Sequence, residues 1–190
     1  MRKKHRVMRP QDVVILFGVE ANCQRMQITV SGTTITGFPR FPLTKKDIAA
    51  KLRISASEVT ESLARSAYAG LYNPDLQVVM SRALLEFLQH GIQYVFPQQP
   101  GAIVRGIPTA HSAKPLSGLI VSEEQYVWPS ANGTVRGQTI EPLYPSVTEA
   151  IQDDPYLYEM LALTDAIRIG RSREVSIAVE ELQKRFEISE

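Results

Sequence analysis

A chain of 190 residues with 44% hydrophobic and 22% charged side chains has the composition of an ordinary globular protein with room for a real core. No run approaches 18 uninterrupted apolar residues, which argues against a membrane span, and three scattered histidines with a lone Cys23 argue against a disulfide or a zinc-type metal site. The net charge of +1 conceals a division. Residues 1–70 hold 12 Lys and Arg against 5 Asp and Glu, whereas residues 71–190 hold 9 against 15. A basic first part is the electrostatic footprint of a phosphate binder, and an acidic remainder disfavours wrapping nucleic acid around the whole molecule.

The first residues, with Arg2, Lys3, Lys4, Arg6 and Arg9, read as a basic arm: either a phosphate or minor-groove contact or a solvated terminus. The apolar run after it meets Glu20 and no cleavage site, so it is read as a helix and not as a signal peptide. Together with the single cysteine this fits a cytoplasmic protein. Pro10 suits the first turn of that helix, which is expected to reach about Cys23. Residues 26–43 contain two β-rich runs around Ser31-Gly32, then Pro39 and Pro42, the pattern of a small hairpin and an irregular link.

The next stretch, LTKKDIAAKLRISASEVTESLARSAYAGLY from Leu43 to Tyr72, carries the most information. Thr44 with Asp47, and Ser55 with Glu58, each place a cap and an acid three residues apart. Ile48, Ala49 and Leu52 make one apolar face, and Val59, Leu63 and Ala67 make a second, ending at Gly70. Two short helices joined by so tight a break cross steeply. The segment DIAAKLRISASEVTESLARSAYAGL resembles bacterial winged-helix and helix-turn-helix transcriptional regulators, with Arg53 where these usually place Gly. The resemblance implies a second helix, about residues 56–69, lying in a DNA major groove, with Ser55, Ser57, Glu58, Thr60, Glu61 and Arg65 at or near bases. Lys45, Lys46, Lys51 and Arg53 would contact phosphates.

After the turn at Asn73-Pro74-Asp75, residues 76–80 read as one strand of a reduced wing, and Ser81 as the cap of a helix over 82–89. A domain boundary is expected near residue 97, giving a winged helix-turn-helix domain of residues 1–97 and a second region of 98–190. Seven prolines from Pro97 to Pro145 forbid long helices, so extended segments and turns are expected there. Val104-Arg105-Gly106 recurs as Val135-Arg136-Gly137, too short an echo to count as a repeat. Two helices, from Pro155 and from Arg171 to Phe186, close an α+β chain.

Arg105 and His111 share the one segment that invites a chemical reading, as an anion site or a base; the competing and favoured reading is that they tie irregular backbone together. The Arg168, Arg171 and Arg173 cluster is read as pairing with Asp165 and Glu174, and Trp128 as packing. No phosphate-binding glycine motif is present, and no metal or cofactor is expected. The leading expectation is therefore a non-enzymatic, sequence-specific regulator that binds double-stranded DNA as a homodimer. The alternative is an antitoxin-like regulator whose acidic C-terminal half holds a protein partner.

Overall fold

The computed structural model describes residues 7–25, 28–30, 33–35 and 44–188. The arm residues Arg2, Lys3, Lys4 and Arg6, the Ser31-Gly32 turn and the Pro39–Pro42 link lie outside them. The chain is α+β and forms two compact units, residues 1–80 and 81–190. The division thus falls at Met80 and not near residue 97.

In the first unit, α1 (Pro10–Arg25) is buried on every side over residues 12–21, with Val13 to Phe17 fully enclosed. A helix so apolar around its whole circumference must sit at the centre of its unit. It packs against α2 (Lys45–Leu52) and α3 (Ala56–Tyr68), which bury Ile48, Ala49 and Leu52 and Val59 and Leu63. Strands β1 (Ile28–Val30) and β2 (Thr33–Ile35) pair antiparallel, as the sequence pattern predicts. After α3 come β3 (Tyr72–Asn73) and β4 (Val78–Val79), an antiparallel hairpin. Its turn is held by Asn73, whose side-chain oxygen accepts from the backbone of Asp75 and Leu76 at 3.0 Å each.

The second unit begins with α4 (Ser81–His90), whose Leu84, Leu85 and Leu88 are buried, followed by the short α5 (Ile92–Val95). Packing of α4 against α5 and the C-terminal helices is what draws residues 81–97 into this unit. Ser81 is the first helical residue and not a cap outside it. Strands β5 (Ile103–Pro108), β6 (Tyr126–Pro129) and β7 (Val135–Thr139) close on one another. β5 is antiparallel to both others, and β6 runs parallel to β7. After the short α6 (Val147–Ala150), α7 (Pro155–Ile169) starts on an Asp154 cap that accepts from Leu157 N–H at 3.1 Å. The long α8 (Ser172–Arg185) packs along α7.

Helix α7 carries a buried polar knot. One Asp165 oxygen accepts from Trp128 Nε1 at 2.6 Å and Thr109 Oγ1 at 2.9 Å, and the other from Arg168 Nη1 at 2.6 Å. Arg168 also donates from Nε to the Phe96 carbonyl at 3.1 Å. Burial pushes the Asp165 carboxyl up, against the opposing pull of Arg168, Thr109 and Trp128. Arg168 and Asp165 are thus paired as expected, and Trp128, 1% exposed, is part of the core.

Candidate nucleic-acid interface

Capping decides where α2 and α3 begin. Thr44 Oγ1 accepts from Asp47 N–H at 3.2 Å, and Asp47 Oδ2 accepts from Thr44 N–H at 2.9 Å, a complete reciprocal cap. The Thr44 hydroxyl and backbone N–H hold the Asp47 carboxyl below its ordinary value. Ser55 accepts from Glu58 N–H at 3.2 Å, but here the reciprocal half is missing because the Glu58 side chain turns elsewhere.

Between the helices, Arg53 takes the left-handed conformation at φ 54° and ψ 42°. Ile54 N–H reaches the Ala49 carbonyl at 3.0 Å and Arg53 N–H the Ala50 carbonyl at 3.4 Å, the paired bonds that usually recruit a glycine. α3 ends in the same manner, with Gly70 at φ 76°, Leu71 N–H on Ser66 and Gly70 N–H on Ala67. The three residues between α2 and α3 therefore form a fixed turn that presents an arginine.

Helix α3 leaves Ser57, Thr60, Glu61, Ala64 and Tyr68 exposed along one face. Ser57, Thr60, Ala64 and Tyr68 follow one another at steps of three or four, with Glu61 beside Thr60, and apart from Tyr68 at the far end they are short or flexible. Lys45, Lys46 and Arg53 are exposed and Lys51 is half-buried, so α2 and the turn present cations. Among the described residues, Lys45 and Lys46 make no ion pair.

Arg65 is the correction. Expected on the outer face, it is 5% exposed and faces α1. Its Nε and Nη2 donate to the Asp12 carboxylate at 2.9 and 2.7 Å, and Nη2 also donates to Glu58 Oε1 at 2.6 Å. The hydrogen bond to Asp12 raises the Arg65 pKa, burial opposes this, and Glu58 adds to the rise. A guanidinium so held is unavailable to DNA.

Glu58 is drawn inward with it, accepting from Gln11 Nε2 at 3.1 Å and lying 3.8 Å from Arg9 Nη1. Burial works to raise the Glu58 carboxyl, but Arg65, Gln11 and Arg9 outweigh it and hold the group below its ordinary value. Its charge is thereby largely cancelled within the unit. Glu61 is then the one carboxylate of α3 on the outer face, with Arg65 Nη1 3.8 Å away.

No protein-family model, curated protein or solved structure matches this chain.

Arg105 and His111 do not form a joint site. Arg105 is exposed on β5, whereas His111 is 5% exposed. The imidazole is hydrogen-bonded from Nε2 to the Glu124 carbonyl at 2.9 Å, lies tilted by 56° against the Tyr126 ring with centroids 4.5 Å apart, and has Nδ1 4.0 Å from Glu174. His111 thus ties loop backbone together, the role that the sequence favours for it. Glu174 also accepts from Arg171 N–H at 2.9 Å, closing the start of α8. Sequence reasoning missed Ala64 and Tyr68 on the outer face of α3; continuing the spacing of Ser57 and Thr60 down the helix would have found both. Among the described residues no cluster of metal-ligating side chains occurs, and no helix is long and apolar enough to cross a membrane.

Proposed function

We propose that the chain is a sequence-specific DNA-binding transcriptional regulator of the winged-helix type, working as a homodimer with α3 in the major groove. The observation that carries this reading is the outer face of α3. Ser57, Thr60, Glu61 and Ala64 stand exposed on a helix anchored by α1, directly after a turn and helix that present Lys45, Lys46 and Arg53. Short side chains let a helix approach base edges closely, while flanking cations contact phosphates and set its position. Thr60, whose hydroxyl donates to the Ala56 carbonyl at 2.9 Å, can accept at a base edge, Ser57 can donate or accept there, and Glu61 can accept from cytosine N4. The order α1, α2–α3, then the β3–β4 hairpin is that of a winged helix, with the hairpin as a short wing. A single reading helix covers too few base pairs for useful specificity, which favours two copies on a two-fold site.

The test is DNA binding by fluorescence anisotropy over a range of salt concentrations, after selection of a preferred duplex from a random pool. Replacing Lys45, Lys46 and Arg53 with Ala should weaken binding across all sequences. It should also flatten the log–log salt dependence by about one unit per lost phosphate contact. Thr60→Ala and Glu61→Gln should change the selected sequence and leave the slope alone. Failure to enrich any duplex, or unchanged binding in the triple variant, overturns the reading.

A further inference from the structure

We propose that Arg105 and Arg136 together form a binding site for a phosphate ester on the outer face of the β5–β7 ladder. The two residues are direct cross-strand partners, and the register around them is symmetric: Val104 faces Gly137, Arg105 faces Arg136, and Gly106 faces Val135. The repeated Val-Arg-Gly triplet is therefore one antiparallel pair, related by a local two-fold of the backbone register that passes between Arg105 and Arg136.

The third residue of each triplet explains why the arginines turn outward. A Cβ on Gly106 would lie 2.1 Å from the Trp128 carbonyl oxygen, and one on Gly137 would lie 2.4 Å from that of Gln125. Each glycine is required because the backbone at β6 presses on it. Neighbouring residues in a strand face opposite ways, so each arginine is directed away from that contact. Both are exposed.

Like charges directly opposite one another on a ladder are unfavourable. The unit could easily have relieved this, since residues 81–190 carry 14 Asp and Glu against 9 Lys and Arg. Yet residues 87–122 and 125–140 contain no Asp or Glu at all, and the three strands carry two charged residues, both arginine. Among the described residues neither guanidinium has an ion-pair partner. An acidic unit that keeps its acids off one sheet and aligns two arginines there is arranged to receive an anion from outside.

The geometry favours phosphate. Opposed side chains start about 5 Å apart at Cβ, so two planar forks can grip one tetrahedral group through paired N–H donors. Ile103, 64% exposed and two residues before Arg105, offers an apolar contact beside the pair. That contact suits the organic half of an ester. The ester can come from a nucleic-acid backbone or from a small phosphorylated molecule.

The experiment uses the full chain, with Arg105→Gln, Arg136→Gln, the double variant, and Arg82→Gln as a control on an exposed arginine of α4. Ribose 5-phosphate is titrated by calorimetry, and duplex DNA by anisotropy over a range of salt. The wild type and the control should bind ribose 5-phosphate, and the double variant should lose at least tenfold in affinity while melting no lower than the wild type. If the DNA salt slope also falls by about one to two units, the ester is the nucleic-acid backbone. If the slope is unchanged, it is a small ligand. Absence of ribose 5-phosphate binding in the wild type with an unaltered DNA slope in the double variant overturns the proposal, as does retention of both activities by that variant. The ribose 5-phosphate measurement needs no DNA, so its failure is distinct from failure of the DNA-binding reading.

Discussion

The Arg65 guanidinium of α3 grips the Asp12 carboxylate of α1 through two N–H groups, at 2.9 and 2.7 Å, across 53 residues of chain. Asp12 also accepts from Arg9 N–H at 2.8 Å, so one carboxylate both closes the start of α1 and locks it to α3. Both side chains are almost wholly enclosed. Arg65→Met leaves a buried carboxylate without its counter-charge, and should cost about 3–5 kcal/mol in urea denaturation. Adding Asp12→Leu to Arg65→Met should recover part of that loss, because an apolar pair replaces the buried ion pair at little net cost while the cap on Arg9 N–H, worth about 1 kcal/mol, is given up. A double variant no more stable than the single would show that the pair itself is needed.

Glu58 makes the same unit sensitive to acid. Its folded carboxyl titrates below the ordinary value of 4.5, despite the burial that acts to raise it, because Arg65, Gln11 and Arg9 stabilise the charge. For an acid with a depressed folded pKa, the unfolded chain takes up the proton first. The stabilisation is therefore complete above about pH 4.5 and is lost as pH falls through the folded pKa. Glu58→Gln should lower stability at pH 7 by about 0.5–1 kcal/mol and flatten the acid limb of a melting-temperature profile. An identical acid limb in the variant would remove Glu58 from the account.

What was legible in the sequence follows the range of the interactions. The caps at Thr44 and Ser55 and the stop at Gly70 act within a few residues, so their spacing reveals them. Local spacing puts Arg65 on the outer face of α3, because its decisive partner, Asp12, stands far away in the chain. Likewise the partners of Asp165, Trp128 and Thr109, lie 37 and 56 residues off, and nothing local marks that aspartate as more than a helical acid. The Val-Arg-Gly echo had no meaning until register placed one copy opposite the other. Extended segments between prolines could be foreseen; their closure on one another could not, because pairing depends on contacts that no local pattern encodes.

Two glycines should respond to alanine very differently. Gly70 has φ 76° but open space where a Cβ would go, so Gly70→Ala carries only the cost of a left-handed backbone, about 1 kcal/mol. Gly106 has no such space, its Cβ direction being filled by the Trp128 carbonyl. Gly106→Ala must part β5 from β6, at a cost of about 3 kcal/mol or more. Equal melting temperatures for the two variants would contradict the close approach of the strands.

Asp165 offers the sharpest test of the second unit, because Trp128 is the chain's single tryptophan and donates directly to it. Every hydrogen bond that the two carboxylate oxygens accept comes from a buried or part-buried donor on another residue. Asp165→Asn turns an –NH2 toward one of those donors and leaves Arg168 without a counter-charge. The expected cost is about 3–5 kcal/mol, with Trp128 emission shifting to the red at lower urea than in the wild type. Thr109→Val removes one neutral donor and should cost only about 1 kcal/mol. Asp165→Asn combined with Arg168→Met removes the stranded charge and should be less damaging than Asp165→Asn alone. If the double variant were the worse of the two, Arg168 would be stabilising the unit chiefly through its hydrogen bonds to the Phe96 and Glu141 carbonyls rather than through Asp165.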